Sequence, residues 1–240
     1  GDRVVMQLPN SIDFVLAFLA LSRVGAIPVM ALRAHRYSEI RHFVDASGAV
    51  AYMIPGLFGR YDYRELAQDI ARDCPTLAHV FVLDEPLPGQ QSLRAMLESR
   101  RPAADALVRL AAVPVDPDDV TVMLLSGGTT SLSKLIPRTH NDYALNARLC
   151  GKAAGFDSDT VFLALLPLGH NYNLASPGML GVFEFGGTVV IGHGTDAEQV
   201  FELVQRHRVT NIAAAVPLIT TWLNAGLDDR YDLRSLRVIQ

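Results

Sequence analysis

The chain has 240 residues, 50% of them hydrophobic and 19% charged, with a formal net charge of −4. That is the composition of a globular protein with a sizeable core, and with no long basic run or interleaved aromatics it argues against a nucleic-acid partner. The longest apolar stretch, FVLAFLALSRVGAIPVMAL, is broken by Arg23, Gly25 and Pro28, which suits a buried helix followed by a strand rather than a membrane span.

In chain order, VVMQLP (4–9) is strand-like. Asn10 or Ser11 can cap a helix running to about Val24, which Gly25 ends. IPVMAL is the next strand, a helix follows from about Ser38, and AVAYMI is again strand. YRELAQDIARD has helical periodicity and HVFVLD (79–84) is strand. This β-α alternation predicts an α/β fold, doubly wound, with mainly parallel sheets and helices on both faces. Between Asp84 and Asp119 the pattern weakens into EPLPGQQ and VPVDPDD with one helix between them. We therefore place a boundary there, with 1–113 as a first α/β lobe and 114–240 as a second. In the second, VTVMLL is strand, a Ser/Thr/Gly loop follows, and YALNARLCGKAAG is helix. Then come TVFLALLP as strand, a polar loop, GTVVIG as strand, a helix over 198–207, NIAAAVP as strand and a helix ending near Gly226.

No signal peptide is read at the start. Cys74 and Cys150 make neither a disulfide framework nor a metal-ligand spacing, and a reducing cytoplasm is the expected setting. Strand-like residues lie close to both ends, in VVMQLP and LRSLRVIQ. Because termini usually lie at exposed positions, we expect a chain cut from a longer one.

The chemistry concentrates in SGGTTSLSKLIPRTH (126–140), directly after an apolar strand. Gly127 and Gly128 let the backbone bring N–H groups close to an anion. Ser126, Thr129, Thr130 and Ser133 add hydroxyls, and Lys134 adds a mobile positive charge for a polyphosphate. Ligands of open α/β sheets bind at the carboxyl ends of strands. The spacing does not fit the P-loop G-x-x-x-x-G-K-[ST], because residue 133 is Ser and Leu135 follows the lysine. A mobile surface loop with no ligand is the alternative that composition alone leaves open.

The run LLSGGTTSLSKLIPRTHNDY resembles the phosphate-binding signature of the adenylate-forming superfamily, which includes acyl- and aryl-CoA synthetases, adenylation domains and luciferases. The resemblance implies that residues 126–134 surround the β- and γ-phosphates of ATP while a carboxylate attacks the α-phosphate, with Lys134, Thr129 and Thr130 in catalytic roles. Ser131 departs from the family, which has glycine there. If that point needs φ > 0, serine costs on the order of 1 kcal/mol, and Ser131→Gly is expected to raise turnover.

A second segment, LLPLGHNYNLASPGMLGVF (165–183), resembles the acyl-binding segment of aryl acid–AMP ligases of siderophore biosynthesis, which activate 2,3-dihydroxybenzoate or salicylate; PVMALRAHRYSEI and LIPRTHNDY resemble the same group. By its chemistry, an Asn amide can both donate to and accept from a phenol hydroxyl, and a tyrosine ring can form a wall. The resemblance assigns Asn171 and Ser176 as selectors, His170 to the neighbourhood of the carboxylate and Tyr172 to the pocket. It also implies Mg2+ on the phosphates, an aryl carboxylic acid as substrate and an aryl carrier protein as acceptor. The rest of the adenine pocket, an acidic residue for magnesium, a ribose-binding aspartate and a catalytic lysine are implied beyond Gln240, so that these residues alone would have weak activity and the two lobes would form one large domain in the intact enzyme. Two readings stand beside this one: an acyl- or aryl-CoA synthetase, and a non-catalytic homologue that only binds nucleotide or a partner.

Other polar residues carry plainer expectations. His35 and Arg36 are read as capping and surface groups, and Arg138 and His140 as holding the loop in place. Residues 116–119 are read as a solvated linker rather than a metal site, Trp222 as core, and both cysteines as inert.

Overall fold

The computed structural model describes residues 1–99, 103–127, 132–227 and 229–240. These form two compact units, Gly1–Asp142 and Tyr143–Gln240.

In the first unit β1 (Arg3–Met6) leads to α1 (Ile12–Arg23), β2 (Ile27–Met30), α2 (Tyr37–Ser47) and β3 (Ala51–Ile54). The small hairpin β4 (Leu57–Phe58) and β5 (Tyr61–Asp62) precedes α3 (Tyr63–Asp73), β6 (His79–Val82) and β7 (Gln91–Ser92). Next come α4 (Leu93–Glu98), α5 (Ala103–Ala111), β8 (Val120–Leu125), β9 (Leu135–Thr139) and α6 (His140–Ala153), whose first three residues belong to this unit. Ser11 caps α1 by accepting the Phe14 N–H, and Gly25 follows the helix with φ +70°. Two helices therefore occupy the segment between Asp84 and Asp119, where one was expected.

Seven strands make one sheet in the order β7-β6-β3-β1-β2-β8-β9, parallel throughout except for the last pair. Every residue of β2 and β3 is buried, as parallel strands covered on both faces must be. On one face Val5, Val29, Tyr52, Ile54 and Val82 pack with Ile40, Phe43 and Val44 of α2 and Leu66, Ala67 and Ile70 of α3. Val4 and Met6, which alternate with Val5, are also buried, and α1 packs on β2.

The boundary expected between residues 113 and 114 falls elsewhere. β8 is parallel to β2, with Val29 opposite Met123, so residues 120–139 complete the first sheet. The Pro- and Asp-rich stretch before them is a loop within one unit, since composition marks where a chain turns and not which sheet it rejoins.

The second unit carries β10 (Val161–Ala164), α7 (Asn171–Leu174), α8 (Gly178–Glu184), β11 (Thr188–Ile191), α9 (Ala197–His207), β12 (Asn211–Ile212), α10 (Val216–Leu223) and β13 (Val238–Ile239). Its four strands are all parallel, in the order β11-β10-β12-β13. Leu163, Ile212, Val200, Phe201, Val204 and Trp222 share a core, and the Trp222 indole N–H donates to the Thr195 carbonyl at 2.9 Å. Among the described residues no helix is long and apolar enough to cross a membrane.

Candidate active site

In the first unit the candidate residues follow the end of β8. The Ser126 N–H donates to the Lys134 carbonyl at 3.0 Å, and the Lys134 N–H donates to Ser126 Oγ at 2.9 Å. Two hydrogen bonds thus close the neck of the loop. Beyond the neck the chain returns as β9, antiparallel to β8, with Leu135 opposite Leu125. The sequence reads as loop through to the next helix because Pro137 is a poor strand former. β9 is the edge strand, where a proline's missing N–H is tolerated. The phosphate-loop candidate is therefore a hairpin connection, unlike the strand-to-helix turn of a P-loop.

A residue that the sequence did not single out reaches this neck. His42, half-buried on α2, lies with Nε2 3.0 Å from the Ser133 carbonyl. A carbonyl only accepts, so Nε2 carries the proton. Of the expected loop residues, Gly127 and Lys134 are exposed and Ser126 and Ser133 are half-buried. Gly128, Thr129, Thr130 and Ser131 lie outside the described residues. A Cβ on Gly127 would meet nothing within 4 Å, and its φ is outside the left-handed region. Among the described residues no neighbouring atom requires glycine there.

Arg138 grips Asp142 through both carboxylate oxygens, one contact being Nη2 to Oδ1 at 3.0 Å. That guanidinium holds the Asp142 carboxyl below its usual range. The pair fastens the junction of β9 and α6, and the His140 N–H donates to the Asp119 carbonyl at 3.0 Å, tying the same junction to the start of β8. Asp116 caps its own turn by accepting the Asp118 N–H at 2.9 Å. Arg36 precedes α2 as its N-cap, its N–H donating to Glu39 at 3.1 Å, while His35 Nδ1 accepts the Leu32 N–H and burial lowers its pKa.

The second unit carries the other expected residues, after β10. The region read as a polar loop is helical in two short pieces, α7 and α8. His170 is exposed and caps α7, its Nδ1 accepting the Tyr172 N–H at 3.3 Å. Asn171 and Ser176 are brought together: Asn171 Nδ2 donates to Ser176 Oγ at 3.1 Å. Two residues of α6 complete the cluster. The Tyr143 hydroxyl donates to Asn171 Oδ1 at 2.9 Å. Asn146 Nδ2 donates to Ser176 Oγ at 2.7 Å and to the Ala175 carbonyl at 3.3 Å. Tyr143 and Asn146, three residues apart, share one helix face; the sequence placed them on a helix but could not show what that face meets. Tyr172 is half-buried, and burial raises its phenol pKa.

The backbone beneath this cluster is tight. Gly178 has φ +28°, and a Cβ on it would lie 2.3 Å from the carbonyl carbon and oxygen of Asn173. Asn173 is fully buried and donates from Nδ2 to the Leu166 carbonyl at 2.6 Å.

The comparisons with known proteins agree across the whole chain. Residues 1–240 match the AMP-binding enzyme family. The 2,3-dihydroxybenzoate-AMP ligase of Bacillus subtilis is 42% identical over 240 residues, covering 100% of this chain and 42% of that protein. The salicyl-AMP ligase / salicyl-S-ArCP synthetase of Mycobacterium tuberculosis is 38% identical, again over 100% of this chain and 41% of its own length. The apo structure of MbtA from Mycobacterium smegmatis superposes with a TM-score of 0.87 at 35% identity, covering 100% of this chain and 42% of that one. The chain thus spans less than half the length of the relatives it matches.

Proposed function

We propose, from the premise that the chain belongs to the AMP-binding enzyme family, that the protein activates an aryl carboxylate with ATP. The acid's carboxylate oxygen attacks the α-phosphorus of ATP, the bond from that phosphorus to the bridging oxygen breaks, and pyrophosphate leaves an acyl adenylate behind. A thiol then attacks the acyl carbon and AMP departs. The names of the relatives from Bacillus subtilis and Mycobacterium tuberculosis favour 2,3-dihydroxybenzoate or salicylate as the acid and a carrier protein as the thiol donor. The cytoplasm, where ATP is abundant, is the proposed setting.

The observation that carries this reading is the clasped hairpin loop at the carboxyl end of β8. Ser126 and Lys134 close its neck and His42 holds it from the side. On this reading the exposed Lys134 ammonium offsets the charge that grows on the departing pyrophosphate. Such a group acts by electrostatic stabilisation and positioning, with no covalent step. Ser126, Gly127, Gly128, Thr129, Thr130, Ser131, Ser133 and Lys134 are assigned to the nucleotide, and His170, Asn171, Tyr172 and Ser176 to the acid. Mg2+ would ride on the phosphate oxygens. Among the described residues no three His, Cys, Asp or Glu side chains converge on a metal position, so no ligand in this chain is assigned to it.

The test is ATP–pyrophosphate exchange in the intact protein. Exchange that depends on salicylate or 2,3-dihydroxybenzoate supports the reading, and exchange that no aryl acid stimulates overturns it.

A further inference from the structure

The polar cluster around Ser176 has a direction. The Tyr143 hydroxyl donates to Asn171 Oδ1, which fixes the Asn171 amide so that its Nδ2 faces Ser176. Asn146 is oriented in the same manner: its Oδ1 receives the Cys150 thiol at 3.9 Å, one turn along α6, and its Nδ2 faces Ser176. Ser176 Oγ therefore accepts two N–H groups, at 2.7 and 3.1 Å. A hydroxyl has two lone pairs and one proton. Both lone pairs are used, and among the described residues nothing accepts the proton.

We propose that Tyr143 and Asn146 are positioning residues that lock the Ser176 hydroxyl as a donor, so that the aryl site selects a ring substituent that can accept a hydrogen bond. This deepens the aryl-acid reading above and rests on it. A ring hydroxyl offers accepting lone pairs. A ring amino group offers two N–H donors and a lone pair drawn into the ring, so it would face the Ser176 proton with no acceptor. A polar group left unpaired in a closed site is rejected far more strongly than a difference in size.

The experiment compares matched substrates in ATP–pyrophosphate exchange with the intact protein: salicylate against 2-aminobenzoate, and 2,3-dihydroxybenzoate against 3-amino-2-hydroxybenzoate. Wild type is expected to favour the hydroxyl member of at least one pair by about tenfold or more in kcat/KM. Asn146→Asp puts an acceptor where the amide donor was. Ser176 then donates to the carboxylate and turns a lone pair to the ring, so the preference in that pair falls to about parity while the hydroxyl acid still reacts. Tyr143→Phe frees the Asn171 amide without changing ring shape and lowers the same ratio part of the way. A ratio between two substrates does not move when part of the protein is misfolded, which separates positioning from structural support. An unchanged ratio in Asn146→Asp overturns the proposal and leaves aryl activation standing. If that variant does not fold, an unchanged ratio in Tyr143→Phe overturns it equally. A wild type that exchanges with no benzoate at all overturns the aryl-acid reading and this proposal with it.

Discussion

Replacing Gly178 by alanine tests whether the acid site depends on a backbone contact. A Cβ there would meet the Asn173 carbonyl carbon and oxygen at 2.3 Å and the Tyr172 carbonyl oxygen at 2.9 Å. These are backbone atoms of α7, so no side-chain rotation relieves the overlap, and the helix must shift by several tenths of an ångström. Alanine at φ +28° adds on the order of 1 kcal/mol of backbone strain, and overpacking adds about 1–3 kcal/mol. The sum, about 2–4 kcal/mol, corresponds to a Tm lower by roughly 5–15 °C for a chain of this size. The same shift moves Asn171 and Ser176, which sit on and beside that helix, and aryl-acid affinity is expected to fall about tenfold or more. Thermal unfolding followed by calorimetric titration with 2,3-dihydroxybenzoate measures both. A variant with unchanged Tm and unchanged affinity would show that α7 yields freely, and the reasoning from the close approach would be wrong.

Three further outcomes follow from the loop and the core. His42→Ala leaves the Ser133 carbonyl without its donor, worth about 1 kcal/mol, and should raise KM for ATP about fivefold while KM for the acid stays put. His42→Gln restores it, and an equal rise for both substrates in steady-state exchange refutes the anchoring role. Gly127→Ala adds a methyl that meets no atom of the described residues within 4 Å; its stability should stay within about 0.5 kcal/mol of wild type, whereas on the proposed nucleotide role KM for ATP should rise severalfold because the methyl would crowd a phosphate. An unmoved KM would mean the glycine has no ligand to admit. Cys74 is buried with its sulfur 3.4 Å from Asp45, and burial pushes its thiol up to about 11. Against an unfolded value of about 8.5, the folded state holds the proton longer, so this contribution is full below about pH 8.5 and is lost as pH rises through 11. Urea unfolding across that range should show a steeper decline in wild type than in Cys74→Ala, where the buried Tyr52 phenol still contributes.

The strands β1, β2, β3, β6, β8, β10, β11 and β12 were legible because parallel strands read as short apolar runs between turn residues. β9 was not, since Leu135–Thr139 is a strand through pairing with β8 and has weak propensity of its own. The segments Asn171–Leu174 and Gly178–Glu184 are too short to show a helical period. Asn171 and Ser176 were reached through resemblance, and the structure sets them within one hydrogen bond of each other. Their partners Tyr143 and Asn146 are 28 to 30 residues away in sequence, and His42 is 91 residues from Ser133. No local pattern encodes contacts of that span; only the folded sheet brings them together.

The pairing of β2 with β8 has a kinetic side. Val29 and Met123 become neighbours across an intervening chain that holds β3, β6, β7 and the four helices α2 to α5. Loop closure of that length is an entropic toll that early local contacts cannot offset, so the pairing that positions the loop after β8 comes at a late stage of folding. A nascent or partly unfolded chain would carry the residues 126–134 and yet grip no phosphate. If the proposed nucleotide role holds, ATP would draw the folding equilibrium toward the finished sheet by mass action, and the recovery of nucleotide binding after denaturation would time the last closure of the first unit.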